Sequence, residues 1–222
     1  MFTGIIEAIG EVAAMERRGD DLRLRINSGA LDLADLKLGD SVATNGVCLT
    51  VIDLPGDGYW ADVSAETLTC SNYDQLKVGT RCNLEKAMTP TTRLGGHLVS
   101  GHVDGVGEVL SRWDEGRSVR FRICAPAALA KFIAAKGSIT INGVSLTVNN
   151  VDGSEFELNI VPHTLQETTL QEMRGGSRLN LEVDVIARYL ERLLQGEQAA
   201  EKQSGGLGRD FLAAHGFLGG GA

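Results

Sequence analysis

The sequence predicts an all-β protein made of two tandem copies of a small antiparallel barrel, followed by a C-terminal helix. Three observations support this fold class: an internal repeat, several short strand-like segments in each copy, and a helical pattern after the second copy. The repeat is clearest in two hexapeptides, NGVCLT and NGVSLT, which begin 97 residues apart at Asn45 and Asn142. Further identities in the same register, with no gap, indicate a tandem duplication. They pair Gly4 with Gly101, Gly10 with Gly107, Glu11 with Glu108, Arg23 with Arg120, Thr67 with Thr164, Asn83 with Asn180 and Glu85 with Glu182.

Each copy contains short strands separated by turns. In the first copy, alternating apolar and basic residues predict a strand at Leu22–Ile26. Two β-branched runs around an Asn-Gly pair predict a hairpin with a type I′ turn at Ser41–Val51. Several such strands in about 97 residues are typical of a small closed barrel. The remaining predicted strands are Tyr59–Val63, Cys82–Glu85, Val119–Ile123, the hairpin Ser138–Val148, Phe156–Val161 and Leu179–Asp184.

Helices are secondary in this prediction. Short helical turns are expected after Ser64 and Pro162, and short helices at Ala30–Leu38 and Ala125–Ala135. Pro90 and paired glycines place a linker at 88–96. We therefore predict a first barrel at 1–97, a second at 98–185, and a helix with a flexible tail at 186–222.

The helix after the second copy is amphipathic, with a candidate N-cap at Asp184. The sequence beyond it, from Gly196 to Ala222, is rich in Gly, Gln and Ala and is expected to be flexible. The apolar residues of the helix recur at i, i+3, i+4, i+7 and i+8, and they are Ile186, Tyr189, Leu190, Leu193 and Leu194.

Composition excludes several classes of partner. The 222 residues carry a formal net charge of −8 and no clustered basic run, which argues against nucleic acid and anionic membrane surfaces. Four cysteines lack CxxC spacing, so neither a disulfide framework nor a zinc site is predicted. The N-terminus has no basic leader, and no apolar run approaches the 18 or so residues of a membrane span. We expect a cytoplasmic protein with free thiols.

The repeated hexapeptide presents a small polar face. Alternation along a strand puts Cys48 and Thr50 on one side and Val47, Leu49 and Val51 on the other, and Ser145 and Thr147 repeat the pattern. One such face would be read as solvent-exposed strand, but its retention in both copies favours a binding surface.

Two histidines in GGHLVSGH invite comparison with a metal site. A five-residue offset puts His97 and His102 on opposite faces of an extended segment, so no metal site is predicted. The repeat mate of His102 is Ile5, which indicates that the two halves have diverged. A surface histidine near the linker is the alternative.

Asp62–Thr67 and Asn159–Thr164 each end a strand and enter a helical turn. There Ser64 or the paired threonines could cap backbone donors, or those donors could hold the polar edge of a ligand. No Ser-His-Asp spacing, P-loop or GxGxxG pattern supports a hydrolase, an NTPase or a Rossmann enzyme.

These motifs closely resemble the riboflavin synthase family of the alpha-chain type, over roughly Met1 to Leu194. The resemblance is carried by MFTGII at 1–6, GDSVATNGVCLTV at 39–51, GGHLVSGHVDGVG at 95–107 and KGSITINGVSLTV at 136–148. It implies two six-stranded Greek-key barrels and a helix that assembles a homotrimer. The implied reaction converts two molecules of 6,7-dimethyl-8-ribityllumazine into riboflavin and 5-amino-6-ribitylaminopyrimidinedione by transfer of a four-carbon unit, with no cofactor or metal. Association with lumazine synthase is a further partnership within this resemblance.

Two other functions remain open at this point. A lumazine-binding or flavin-binding protein of the same fold would bind without turnover, and degraded motifs in one barrel would favour it. Both hexapeptides are intact here. A flavin-dependent reductase is disfavoured because no nicotinamide signature is present.

The resemblance also implies a set of ligand contacts, in a site formed by the N-barrel of one subunit and the C-barrel of its neighbour. Ser41, Cys48 and His102 are the candidates for direct involvement in catalysis. Glu is common at the position of His163, whereas Glu66 is intact in the first copy. We expect His163 either to replace that polar contact or to weaken the pocket. The contacts in the N-barrel are Gly4, Ile5, Ile6, Cys48, Leu49, Thr50, Asp62, Val63, Ser64, Ala65, Glu66 and Thr67. Those in the C-barrel are Gly101, His102, Val103, Lys136, Ser145, Leu146, Thr147, Val161, Pro162, His163, Thr164, Leu165 and Gln166.

Overall fold

The computed structural model describes residues 1–200, in which each copy of the repeat forms a closed six-stranded antiparallel barrel. The strands are β1 (Ala8–Arg18), β2 (Asp21–Asn27), β3 (Ser41–Thr44), β4 (Val47–Asp53), β5 (Gly58–Val63), β6 (Arg81–Lys86), β7 (Gly105–Glu115), β8 (Ser118–Cys124), β9 (Ser138–Ile141), β10 (Val144–Asp152), β11 (Glu155–Ile160) and β12 (Arg178–Val183). The strand order around the first barrel is β1-β2-β5-β4-β3-β6, and the second barrel repeats this order with β7 to β12. Because β6 returns to lie beside β3, next to the consecutive strands β3, β4 and β5, each barrel has Greek-key connectivity, as the resemblance implies.

The predicted hairpins are confirmed. Asn45 and Gly46 have φ angles of 47° and 80°, so both central residues of the β3–β4 turn are left-handed, as a type I′ turn requires. Asn142 and Gly143 repeat these values at 46° and 84° between β9 and β10. Such turns match the twist of the flanking strands, which explains why both copies retain Asn-Gly.

Alternation along the strands places one apolar core inside each barrel. In β4, Val47, Leu49 and Val51 are buried, whereas Cys48 and Thr50 lie on the outward face. Burying an aliphatic side chain of this size stabilises the fold by roughly 1.5–3 kcal/mol. The outward polar face predicted for the hexapeptide is therefore confirmed in the first barrel.

Within residues 1–200, three α-helices accompany the barrels: α1 (Ala65–Cys70), α2 (Pro162–Gln166) and α3 (Val185–Leu194). The predicted helix at Ala30–Leu38 is wrong, since that segment contains only turns. Its Leu31 and Leu36 are buried as single anchors, and the Asp32 carboxylate accepts a hydrogen bond from the backbone of Ala34, which competes with helical pairing.

The second predicted helix, at Ala125–Ala135, is shorter and of another type. A 3₁₀ helix occupies Ala127–Phe132. It ends before Lys136, which has a φ of 68°, a value that no right-handed helix can continue through.

The C-terminal helix begins where the sequence predicts. The Asp184 carboxylate accepts a hydrogen bond of 2.9 Å from the backbone N–H of Ile186, so the predicted N-cap is confirmed. Within the predicted flexible tail, Gly196–Ala200 forms a 3₁₀ helix, and the rest of the tail lies outside the described residues. No helix within residues 1–200 is long and apolar enough to cross a membrane. The domain boundaries at 97 and 185 stay predictions.

Candidate functional site

Two equivalent segments cross between the barrels and bring the predicted site residues together. The first segment is 2–6, and its repeat mate is 99–103. They pair with each other through an isolated antiparallel bridge between Phe2 and Val99, with N–H···O distances of 2.7 and 3.1 Å. Phe2 and Val99 are both buried there against Ala43. The bridge therefore lies where the two copies meet.

Each crossing segment packs on the barrel of the other copy. The backbone N–H of Ser145 donates a 2.8 Å hydrogen bond to the carbonyl of Gly4, and that of Cys48 donates an equal one to the carbonyl of Gly101. Farther along, Ile6 packs against the core of the second barrel, and Val103 packs against the core of the first.

This exchange corrects the grouping of the predicted contacts. The resemblance placed Gly4, Ile5 and Ile6 with the N-barrel and Gly101, His102 and Val103 with the C-barrel. That assignment is wrong, because each segment lies against the hexapeptide strand of the other barrel. Each half-site is therefore built from both copies within one chain.

Each crossing segment lies so close to the hexapeptide strand that only glycine fits at the point of contact. A Cβ on Gly101, whose φ is 79°, would lie 2.7 Å from the Cys48 Cβ. A Cβ on Gly4, whose φ is 75°, would lie 2.6 Å from the Ser145 Cβ. Glycine is required at both positions by conformation and by space.

Two buried glutamates fix the crossing segments. Glu85 accepts hydrogen bonds from the backbone N–H of Thr3 at 2.6 Å and of Gly4 at 2.9 Å. Its repeat mate, Glu182, accepts from Ser100 at 2.6 Å and from Gly101 at 3.0 Å. Burial raises the pKa of both carboxyls above their usual range, although these hydrogen bonds oppose the shift.

The first half-site is a pocket of about 240 Å³ on the outside of the N-barrel. Cys48 lies on one wall, the start of α1 forms a second, and His102 closes it from the crossing segment. At the start of α1, the Ser64 hydroxyl accepts from the Thr67 N–H at 3.2 Å, so Ser64 is the N-cap. The lining residues are Val47, Cys48, Ser64, Glu66, Thr67, Cys70, Ser71, Gly101, His102 and Val103.

Several predicted N-barrel contacts lie elsewhere. Leu49 and Val63 point into the barrel core and can offer only backbone atoms. Asp62 is exposed and forms an ion pair with Arg23 at 3.1 Å. Ala65 is exposed at the first turn of α1, where its N–H donates to the Asp21 carboxylate.

Ser41 does not share the pocket of Cys48 and His102. It lines a separate cavity of about 180 Å³ beside Lys86 and Met88. In the β3–β4 ladder Ser41 pairs with Thr50, while Cys48 pairs with Ala43. Thr50 therefore lies on the same outward face as Cys48, two residues farther along β4, and Ser41 lies beside Thr50 on β3.

In the second half-site, a histidine contacts the serine of the hexapeptide strand. The Nδ1 atom of His97 lies 2.7 Å from the Ser145 hydroxyl, and its Nε2 atom lies 3.4 Å from the Thr140 hydroxyl. Burial lowers the pKa of His97, and the charge of Asp184 opposes that shift.

The remaining C-barrel candidates follow the pattern of their repeat mates, except at the start of α2. No side chain caps α2, which begins after Val161 with Pro162 at its first turn, and His163 is exposed there. Thr147 lies on the outward face and pairs with Ser138, and Lys136 donates its N–H to the carbonyl of Val148 at 2.7 Å. Leu165 and the half-buried Leu146 pack on the barrel core. Thr164 is partly buried and Gln166 is exposed.

An asparagine network joins the two hexapeptide turns. The Asn83 amide donates to the carbonyl of Asn142 at 2.9 Å, and the Asn180 amide donates to the carbonyl of Asn45 at 2.9 Å. Between those turns, a Cβ on Gly46 would lie 2.7 Å from the Gly143 nitrogen. The two half-sites are consequently held in a fixed relation through buried polar contacts.

Sequence reasoning missed the roles of several residues. Glu85 and Glu182, which anchor the crossing segments, were identified only as repeat identities. A signal was available, because the sequence Asn-Leu-Glu recurs in the last predicted strand of both copies. Cys70 and Ser71 also line the first pocket, and nothing in the sequence pointed to them. Among residues 1–200, no group of three or more His, Cys, Asp or Glu side chains is arranged to hold a metal ion.

Comparison with known proteins identifies this arrangement. A lumazine binding domain family model matches twice, at residues 3–87 and 100–184. The chain is 52% identical to riboflavin synthase of Photobacterium phosphoreum over 98% of this chain and 100% of that protein. It is 48% identical to riboflavin synthase of Mycobacterium tuberculosis strain ATCC 25618 / H37Rv, over 88% of this chain and 98% of that one. The riboflavin synthase of Bacillus subtilis strain 168 is 38% identical over 98% and 100% of the two chains.

Solved structures show the same fold. The structure of LumP complexed with riboflavin superposes with a TM-score of 0.77 and 26% identity, covering 82% of this chain and 99% of that one. LumP complexed with 6,7-dimethyl-8-(1'-D-ribityl) lumazine gives a TM-score of 0.75 at the same identity and coverage.

Proposed function

We propose that this chain, which belongs to the riboflavin synthase family, is a transferase that converts two molecules of 6,7-dimethyl-8-ribityllumazine into riboflavin and 5-amino-6-ribitylaminopyrimidinedione. The observation that carries the proposal is the pair of equivalent half-sites, each with one hexapeptide strand and one crossing segment from the other copy. A reaction between two identical molecules can use two similar sites, which a duplication supplies.

In the reaction we propose, one lumazine loses a proton from its 7-methyl group, and the resulting carbanion attacks the second lumazine. The methyl group is acidic because of the electronic structure of the substrate itself, so the protein needs to supply only modest acid–base assistance. Holding both molecules in a fixed orientation replaces a bimolecular encounter, and this can contribute much of the acceleration.

Cys48 and His102 are proposed to contact the lumazine directly, since both line the N-barrel pocket. Ser41 lies outside that pocket, two residues along the outward face of β3 and β4. A substrate longer than the pocket would reach Ser41 only by lying along this face. The ribityl chain is the part of lumazine that could extend in that way.

The test is to incubate the purified chain with 6,7-dimethyl-8-ribityllumazine alone and to follow riboflavin by absorbance. We expect two lumazines to be consumed for each riboflavin formed, with no effect of a chelator. A folded protein that binds lumazine without producing riboflavin would refute the proposal and support a non-catalytic binding protein.

That binding protein is the second candidate, because LumP shares the fold and was solved with riboflavin and with the lumazine. Its identity to this chain is 26%, against 38–52% for the three riboflavin synthases compared. Each copy here also retains its hexapeptide and its anchoring glutamate. These observations favour catalysis.

We also propose a homotrimer assembled through α3, with the working site between the N-barrel of one subunit and the C-barrel of its neighbour. The apolar stripe of α3 is between 55% and 88% exposed in the single chain. An isolated helix of this length is marginal in water and needs a partner surface. The members of the stripe are Ile186, Tyr189, Leu190, Leu193 and Leu194.

Truncation after Arg188 tests this assembly, because it removes most of the stripe and keeps the ion pair between Arg188 and Asp104. We expect folded barrels, a monomer by light scattering, and no riboflavin formation. A fully active monomer would refute the intersubunit site, and an active trimer would show that α3 does not hold the subunits together.

A cytoplasmic location and an association with lumazine synthase complete the proposal. Cell fractionation tests the location, and co-sedimentation of the two purified enzymes tests the association.

A further inference from the structure

A second cleft, distinct from the N-barrel pocket, lies between the two copies. Its volume is about 480 Å³, within the range of small-molecule sites, and it shares no residue with the N-barrel pocket. It is bordered by the segments that follow α1 and α2, together with the Asn45 and Asn142 turns. The lining residues are Asn45, Asn72, Gln75, Leu76, Lys77, Gly79, Thr80, Arg81, Asn142, Thr169, Glu172, Met173, Arg174, Ser177 and Arg178.

The cleft concentrates positive charge in an acidic protein. Repeat mates supply the cations: Lys77 matches Arg174, and Arg81 matches Arg178. Glu172 is the only acidic residue of the lining. The formal charge of the lining is therefore positive, although the whole chain carries −8. An anion would be attracted to this cleft in preference to the rest of the surface.

Two of the four cations are already paired, and two are not. Arg81 forms an ion pair with Glu172, and Arg178 forms one with Asp74 at 2.6 Å; both pairs link the two copies. Within residues 1–200, the side chains of Lys77 and Arg174 make no ion pair or hydrogen bond. These two groups are thus free to bind an anion.

Buried polar atoms of the lining also lack partners. Thr169 is 1% exposed, and its hydroxyl oxygen has no hydrogen-bond partner within residues 1–200. Oδ1 of Asn72, the repeat mate of Thr169, is also a buried atom without a hydrogen-bond partner within residues 1–200. The Asn72 amide nitrogen donates to the carbonyl of Arg178 at 3.1 Å, which fixes Oδ1 as an acceptor. Buried polar atoms normally have partners, so Oδ1 of Asn72 calls for a donor and the Thr169 hydroxyl for a donor or an acceptor. A hydroxyl group can serve at both positions.

We propose that this cleft binds a phosphorylated sugar or polyol. The phosphate would pair with the free Lys77 and Arg174, and hydroxyl groups would hydrogen-bond to Asn72 and Thr169. Charge-assisted hydrogen bonds to phosphate are among the stronger polar contacts in proteins. The partly buried Leu76 and Met173 offer only a small apolar surface, which suits such a polar ligand.

Isothermal titration calorimetry of the full-length chain with glucose 6-phosphate tests the proposal, with riboflavin present to fill the half-sites. We expect one molecule bound per chain, no measurable binding of glucose, and weaker binding of inorganic phosphate. Binding of glucose 6-phosphate that disappears when riboflavin is added would assign it to the half-sites and overturn the proposal, as would no binding at about 10 mM.

Matched variants locate the site. Lys77→Gln with Arg174→Gln should lower the affinity for glucose 6-phosphate about tenfold or more, because it removes both free cations. Lys37→Gln with Arg117→Gln makes the same charge change at exposed positions outside the cleft and should leave the affinity within about twofold. An equal loss in both double variants would show general charge attraction and refute the site. Thr169→Val should weaken the binding of glucose 6-phosphate more than the binding of inorganic phosphate. Equal weakening of both would refute the role of the hydroxyl.

Discussion

Replacing Gly101 by alanine tests whether the crossing segment is essential to the first half-site. Gly101 has a φ of 79°, and a Cβ there would lie 2.7 Å from the Cys48 Cβ and 2.8 Å from Cε2 of Phe2. The same residue donates its N–H to Glu182 at 3.0 Å and accepts from Cys48 at 2.8 Å. Alanine therefore cannot be accommodated unless the segment that carries His102 moves.

The cost has two parts. A left-handed conformation costs alanine about 1–2 kcal/mol. Overpacking against a buried neighbour costs about 1–3 kcal/mol more. The free energy of unfolding should fall by about 2–5 kcal/mol, which corresponds to roughly 4–20 °C in Tm for a chain of this size. Displacement of His102 and Val103 should also lower turnover by about 10–100-fold, since small misplacements at a reacting site have large effects.

Gly116→Ala is the matched control. Gly116 also has a left-handed φ, 63°, but a Cβ there would meet nothing within 4 Å. The free energy of unfolding of this variant should fall only by the cost of the left-handed conformation, about 1–2 kcal/mol. The effect of alanine on the unfolded chain cancels between the two variants. Thermal unfolding and riboflavin formation are measured for both. Equal losses of Tm, or full turnover by the Gly101 variant, would refute the close-approach argument.

Three further outcomes are expected. His163→Glu should retain the fold and change riboflavin formation by less than about tenfold, because the position is exposed; a gain of orders of magnitude would show that the C-barrel pocket is impaired. Burial lowers the pKa of His97, so the unfolded chain binds its proton more readily and stability is lost as the pH falls below about 6.5. His97→Asn should flatten the Tm profile in that window, and a parallel profile would contradict this reasoning. Arg188→Ala leaves the Asp104 side chain, which is 6% exposed, without its ion-pair partner. It should cost about 1–3 kcal/mol in urea unfolding, and no change would show that the pair is not stabilising.

The strands were predictable because their signals are local. Alternation of apolar and polar residues fixes the inward face of β4, and Asn-Gly fixes the turn beside it, so few distant contacts are needed. The helix predicted at 30–38 was wrong because the structure of that segment is set by distant contacts. Its two buried leucines and its Asp32 contact depend on the neighbouring barrel wall, which a helical pattern does not reveal.

The candidate site was predictable in content but not in arrangement. The hexapeptide strands and the start of α1 were recognised from residues that recur, and seven of the predicted contacts line the N-barrel pocket. The exchange of the crossing segments could not be predicted, because both copies contain the same motif and either barrel could receive either segment. The tertiary contacts decide between the alternatives, chiefly the hydrogen bonds from Cys48 to Gly101 and from Ser145 to Gly4.

This exchange explains why the duplication has stayed within one chain. In each half-site, the backbone N–H of the hexapeptide strand donates its hydrogen bond to the crossing segment of the partner copy. Each half-site therefore depends on both copies, and the asparagine contacts hold the two turns in one geometry. Divergence can then proceed separately at the two half-sites, as it has where Cys48 faces Gly101 and where His97 contacts Ser145. Two lumazines with opposite roles, one giving and one receiving a four-carbon unit, require this combination of similar shape and different chemistry.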